Sequence, residues 1–263
     1  MIEATLEREL PDLRRFSRAL TGTQEAGDAL VSEAVRLLSN RSQELVEHFC
    51  SRPRLFGLVS SILDSRTFLA FNPERADSPG RRAVLMQDVF GFTEEDARSA
   101  LQLASDNYRM LLQAARLPAS GLEPARIVIL EDQFLIAADE EILLKSHGHD
   151  VVGVCATAEE ALEIVKSESP DIVICDIDLG AGNPTGLDFA KSVPPEARCA
   201  FVFVTGHPAT LCQGHPGEPA YLVSKPYDPA VLATIVYQAL LNVRNPSEPL
   251  AGTSDLAPLL PPV

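Results

Sequence analysis

The chain is 263 residues long and 46% apolar, which suits about two ordinary globular units. Its formal charge of −15 is unevenly placed: residues 1–122 hold 17 acids against 15 arginines and no lysine, while residues 123–263 hold 20 acids against 7 bases. Neither half has the Lys and Arg excess that supplies affinity for a phosphate backbone, so no direct DNA binding is expected. No apolar run approaches the ~20 residues needed to cross a membrane. The acidic start, Met1-Ile-Glu-Ala-Thr-Leu-Glu-Arg-Glu, does not read as a signal peptide. Cys50, Cys155, Cys175, Cys199 and Cys212 show no paired spacing, which fits reduced thiols. A soluble, cytoplasmic protein is expected.

The first half reads as helices throughout. From Pro11 to Leu20, Leu13, Phe16 and Leu20 fall on one helical face, with Arg14, Arg15 and Arg18 mostly off it. Pro11 fits the first turn of that helix. Thr23 can cap a second helix that packs Leu30, Ala34, Leu37 and Leu38 inward. After a less regular stretch around Ser39–Pro53, Leu55–Phe68 gives a third, with Leu55, Leu58 and Ile62 inward. Asn72 to Gly80 is a polar, proline-containing loop. Three short helical patterns follow at Arg81–Val89, Thr93–Leu103 and Asp106–Leu117, and the last pair has helix-turn-helix spacing. Leu117 to Ala125 has linker composition.

The second half alternates strand and helix patterns, as a parallel doubly wound sheet requires. Ile127-Val-Ile-Leu runs into Glu131-Asp132, and Ile172-Val-Ile-Cys runs into Asp176. Phe201-Val-Phe-Val ends in Thr205-Gly206, and Tyr221-Leu-Val-Ser ends in Lys225-Pro226. Helices are expected near 133–147, 158–168, 186–192 and 228–243. His207–Pro219 holds three prolines and two glycines, so any helix there should be short or absent. Parallel strands present their carboxyl ends at one edge, where ligands bind. Glu131, Asp132 and Asp176 would converge there, and three such carboxylates repel unless they hold a divalent cation. A hydroxyl and an ammonium at the same edge suit a phosphoryl group. His147 and His149 flank Gly148 and read as turn residues; His207 could approach the same edge. The proline-rich segment after Arg244 reads as a disordered tail.

With an acidic pair, a lone Asp, a Thr and a Lys-Pro each at a strand end, residues 126–244 resemble the receiver domain of a two-component response regulator. The resemblance implies a flavodoxin-like sheet of five parallel strands in the order 2-1-3-4-5. It implies that Asp176 accepts a phosphoryl group from a sensor histidine kinase. It assigns magnesium to Glu131, Asp132, Asp176 and the backbone carbonyl of Asp178. Lys225 and Thr205 would contact the phosphoryl oxygens. The aromatic that often switches in receivers lies three residues before the lysine; Leu222 stands there, with Tyr221 one earlier. The fourth strand resembles a subfamily of receivers reading aromatic-x-aromatic-x-Thr-Gly.

Leu10-Pro-Asp-Leu-Arg-Arg-Phe-Ser-Arg-Ala-Leu-Thr-Gly and Arg81-Arg-Ala-Val-Leu-Met-Gln-Asp-Val-Phe-Gly-Phe resemble regions two and four of an extracytoplasmic-function (ECF) sigma factor. Ala29, Ser32 and Ala34 stand where region two usually carries polymerase-gripping residues, and the candidate recognition helix offers only Arg109 and Arg116. The expected organisation is a sigma-like domain (1–117), a linker (118–125), a receiver (126–244) and a tail (245–263). A sigma-like domain placed before a receiver is similar to the PhyR-type general stress response regulators. That resemblance implies a non-enzymatic, phosphorylation-activated anti-anti-sigma factor whose helical half captures a NepR-type anti-sigma factor. The alternative is a phosphorylation-gated ECF-type sigma factor that binds polymerase and promoter itself. Gating requires the receiver face of the last strand, the following helix and His207–Pro219 to hold the helical half.

Overall fold

The structure is a computed structural model and describes residues 2–39, 49, 51–66, 75–116, 123–180 and 182–245. Most of the expected linker, the expected tail beyond Asn245, Cys50 and Phe68 lie outside these residues.

The helical half begins with α1 (Ile2–Thr21) and α2 (Gln24–Ser39), which pack side by side. Leu13, Phe16 and Leu20 are buried as their spacing requires. The Thr23 hydroxyl caps α2 by accepting the Ala26 N–H at 3.2 Å. Two expectations need correction. Pro11 lies inside α1 rather than in its first turn, because the helix starts at Ile2. Arg18 is not off the packed face but fully buried, since the receiver covers the side of α1 that a lone helix would show to water.

α3 (Arg52–Arg66) places Leu55, Leu58 and Ile62 in the core together with Phe56, Val59 and Leu63. The expected helix at Arg81–Val89 begins two residues earlier. The Ser78 hydroxyl accepts the Arg81 N–H and Pro79 occupies the first turn of α4 (Pro79–Val84). That helix then widens into a π turn at Leu85–Val89, where the Phe90 N–H reaches back to the Leu85 carbonyl. α5 (Glu94–Ala100), capped by Thr93, and α6 (Ser105–Arg116) form the expected helix-turn-helix pair. Phe16, Phe56, Phe90 and Phe92 meet at ring-centroid separations of 4.8–5.8 Å and pin α1, α3 and the π turn together.

The second half is a five-stranded parallel sheet in the order 2-1-3-4-5, made of β1 (Arg126–Leu130), β2 (Asp150–Cys155), β3 (Ile172–Asp176), β4 (Ala200–Thr205) and β5 (Tyr221–Ser224). α7 (Phe134–Ser146) and α10 (Pro229–Arg244) cover one face, while α8 (Ala158–Glu168) and α9 (Gly186–Ser192) cover the other. Every residue of β3 is buried, as expected of a central strand with both faces covered. Between β4 and β5 there is only a 3-10 turn at Pro208–Leu211, in keeping with the proline and glycine content of that segment.

The helical half docks on β5, α10 and the β4–β5 segment, and one apolar cluster runs from Leu20 and Phe16 through Tyr221 and Val223 to Ile235 and Ala239. Gln238 and Asn242 of α10 each donate an amide N–H to the Ala19 carbonyl, and Gln238 also reaches the Ala76 carbonyl at 2.6 Å. Buried Arg81 donates to Gln238, to the Ala115 carbonyl and to the Thr234 carbonyl, and lies over the Tyr237 ring. Among the described residues no helix is long and apolar enough to cross a membrane.

Candidate functional site

The parallel sheet carries the ends of β1, β3, β4 and β5 to one edge, and with them Glu131, Asp132, Asp176, Thr205 and Lys225. Glu131 and Asp176 are 3% and 5% exposed, while Asp132 faces solvent. One oxygen from each of the three lies within 4.8 Å of the others. Such hard oxygen donors at that separation fit a divalent cation. The Lys225 ammonium donates to Glu131 Oε2 at 2.7 Å and Asp176 Oδ2 at 2.6 Å. Burial alone would lower its pKa, but the bonds to Asp176 and Glu131 outweigh it and hold the ammonium above the ordinary lysine value.

The backbone completes the frame. The Gln133 N–H donates to Glu131 Oε1, and the Asp178 N–H donates to Asp176 Oδ1, each at 3.2 Å. This bends the chain after β3 around the Asp176 carboxylate. The expected carbonyl ligand, on Asp178, lies on that bend; the Asp178 side chain itself turns away to accept the Gly180 N–H. Gly186 lies so close below that an added Cβ would sit 2.2 Å from the Asp176 carbonyl oxygen, so only glycine fits. Thr205 is buried, and its hydroxyl accepts the His207 N–H at 3.0 Å. The Lys225 N–H donates to the Thr205 carbonyl at 2.7 Å, coupling β4 and the lysine.

His207 contributes only its backbone N–H to the edge. His149 is a turn residue whose Nδ1 accepts the Ala125 N–H. Tyr221 is buried away from the carboxylates, its hydroxyl accepting from Asn242, and Leu222 packs under the opposite face of the sheet. Neither is placed as a switch aromatic at the carboxylate edge.

One group was not anticipated. Glu140 of α7 is 2% exposed; Tyr227 donates its hydroxyl to Oε1 at 2.7 Å, and Oε2 has no partner. Burial pushes its carboxyl up to about 7, with the charges of Glu131 and Asp176 adding to the effect. Its spacing with Ala137 and Leu144 on the inward face of α7 was the available signal. In the helix-turn-helix, Arg109 pairs with Glu94 and Arg116 with Asp88, so both arginines of α6 are already neutralised.

Residues 6–60 match the Sigma2 domain of PhyR, and residues 127–237 match the response regulator receiver domain. The chain is 33% identical over 246 residues to the phyllosphere-induced regulator PhyR of Methylorubrum extorquens, covering 89% of this chain and 92% of that protein. The chain belongs to the PhyR family of response regulators. Its fold matches the crystal structure of PhyR from Brucella abortus with a TM-score of 0.77 and 32% identity, over 91% of this chain and 94% of that one. It matches the anti-anti-sigma factor PhyR of Bartonella quintana with a TM-score of 0.80 and 30% identity, over 93% and 98% of the two chains. Membership makes this a regulator that joins a sigma-like domain to a receiver, not a member of a catalytic enzyme family.

Proposed function

We propose that the protein is a cytoplasmic, phosphorylation-activated anti-anti-sigma factor whose sigma-like unit (1–117) is held by its own receiver (126–244) until Asp176 is phosphorylated. The observation that carries this reading is the docking of α1 on the same β4–β5 segment that begins at Thr205 and ends beside Lys225.

A phosphohistidine of a sensor kinase would approach through the open side of the carboxylate cluster. The Asp176 carboxylate attacks phosphorus, a P–O bond forms, and the P–N bond to the imidazole breaks. Glu131, Asp132, Asp176 and the Asp178 carbonyl would hold magnesium, which when bound neutralises phosphoryl oxygens. Lys225, already within hydrogen-bond reach of Asp176, would turn to a phosphoryl oxygen. The Thr205 hydroxyl, which now accepts the His207 N–H, still has its own hydrogen to donate and would turn toward another. That movement of the Thr205 side chain would pull on the His207 N–H at the start of the β4–β5 segment, where only a 3-10 turn and no α-helix resists rearrangement.

Released helices would capture a NepR-type anti-sigma factor; PhyR of Bartonella quintana has been crystallised with the anti-sigma factor NepR. The alternative, a sigma factor engaging promoter DNA directly, is disfavoured because Arg109 and Arg116 are both ion-paired. A hundredfold gain in partner affinity needs ~2.7 kcal/mol, within reach of a few charge-assisted hydrogen bonds. Calorimetry of the full chain against the anti-sigma factor, with and without beryllofluoride and magnesium, tests the reading. Tighter binding on activation is expected, and equal affinity in both states would overturn it.

A further inference from the structure

Three arginines of α1 point at the receiver and find all their receiver acceptors within residues 212–222. Arg14 donates to the Cys212 carbonyl at 3.0 Å, and Arg15 donates to the Leu222 carbonyl at 3.2 Å. Arg18, fully buried, donates to the Pro219 carbonyl at 3.3 Å and to Glu218 Oε2 at 2.7 Å. Beside them Gln24 accepts the Gly217 N–H and donates to the His215 carbonyl.

The two sides of this contact are not equivalent. Glu218 is cradled by its own loop, accepting the N–H groups of Gln213, Gly214 and His215 at 2.8–3.0 Å. Gly214 holds φ +92 there, a conformation that favours glycine, and the Arg14 guanidinium passes directly over it. When the domains part, the Glu218 carboxylate keeps three donors. Arg14 loses its carbonyl, Arg15 keeps Asp12 and the face of the Phe90 ring, and Arg18 keeps only Asp28. Backbone groups on the receiver also lose partners, but the unmet demand of charged groups lies on α1. Its chemistry is fixed by what it now holds: backbone carbonyls around one carboxylate, presented by the strongly acidic half of the chain.

We infer that the Arg14–Arg15–Arg18 strip of α1 is the docking surface for an acidic segment of the anti-sigma partner, and that Glu218 occupies it as an internal stand-in. This rests on the anti-anti-sigma reading and adds to it the residues and the charge that the partner must match. An acidic protein segment fits better than nucleic acid, because the carbonyl acceptors beside the carboxylate belong to folded backbone.

The test uses the full chain, NepR of Bartonella quintana as the probe, and calorimetry with and without beryllofluoride and magnesium. Glu218→Gln is expected to tighten unactivated binding about tenfold and to leave activated affinity unchanged. Arg14→Gln is expected to weaken activated binding about tenfold, the scale of one hydrogen bond to a charged group, and to make it less salt-sensitive. Arg15→Gln, read the same way, covers the case in which Arg14→Gln disturbs the fold. Activated binding by both arginine variants equal to the parent would make the strip a clamp only and overturn the inference, while leaving the anti-anti-sigma reading intact. Unchanged unactivated binding by Glu218→Gln would remove the stand-in. Displacement of NepR by duplex DNA, in the parent but not in Arg14→Gln, would make the strip a phosphate reader and overturn it too. Failure of the activated parent to bind NepR would overturn the functional reading itself, and this inference with it.

Discussion

Two polar clusters, one at the sheet edge and one at the domain interface, are built on opposite terms. At the sheet edge, Glu131, Asp132 and Asp176 face the single ammonium of Lys225, so negative charge is left over. At the domain interface the hydrogen-bonding demand is largely met: every nitrogen of Arg18 and Arg81 has an acceptor and Gln238 joins both domains through three hydrogen bonds, with Arg15 Nε and Asn242 Oδ1 left over. Unbalanced charge of one sign suits a divalent cation. A matched network makes a place that holds until something pulls it apart, since removing any member strands a buried partner. The first cluster is suited to receive a signal and the second to resist it by a definite amount.

The largest effect that would break this contrast is at Asp176. Asp176→Ala should abolish labelling by acetyl phosphate, read by intact mass, while the thermal melt shows a folded protein. Excess chelator should abolish labelling of the parent in the same way; full labelling under either condition would move the acceptor or remove the metal from the scheme.

Glu140 sharpens the first cluster by its proton. Its carboxyl is raised from an ordinary 4.5 to about 7 in the fold, so between those values the folded state keeps a proton that the unfolded chain has released. Stability should therefore fall as pH rises through that window, by up to about 3 kcal/mol. Urea melts across the window, on the parent and on Glu140→Gln, check this. The variant keeps an acceptor for Tyr227 and should lose the decline; parallel pH profiles would show that Glu140 does not titrate there.

The interface should yield a smaller effect. Gln238→Leu strands the Arg81 Nε–H and the Ala76 carbonyl, while the Ala19 carbonyl keeps Asn242, which should weaken docking by about 2 kcal/mol. Unactivated anti-sigma binding should tighten correspondingly while activated binding stays put. If instead both states weaken equally, Gln238 supports the fold as a whole and not the closed arrangement.

The smallest effect is expected at the exposed pairs of α6. Arg109→Ala and Arg116→Ala should each change stability by less than about 1 kcal/mol, because such pairs are solvated and screened. Neither the parent nor the variants should shift promoter DNA in a gel at ~150 mM salt. Sub-micromolar, sequence-specific binding by the parent would restore the sigma-factor alternative.

The carboxylate edge was legible in the amino-acid sequence for a physical reason. Short β-branched runs ending in polar residues mark central parallel strands, and parallel strands deliver their ends to one edge. Glu131, Asp176, Thr205 and Lys225 could therefore be placed together although they come from four separate segments. Helix spans followed from periodicity and caps, as at Thr23, and the short 3-10 turn in place of a helix between β4 and β5 followed from the prolines and glycines there. Periodicity could not show where α1 begins, because a proline read as a start signal is tolerated inside a helix held by tertiary packing. Nor could it tell that Arg18 is buried or that Glu218 is its partner, 200 positions away. The Arg81–Gln238 bond, across 157 positions, was equally out of reach. A polar residue on the outer face of a helix looks solvated until a second domain covers it. The sequence by itself determined the two folds, the order of their elements and the chemistry of the sheet edge, since these depend on local pattern and one topological rule. Only the tertiary structure decided that the halves are docked, which arginines and amides hold them, and that one carboxylate oxygen of Glu140 is buried without a partner, because those facts depend on which surfaces exclude water from each other.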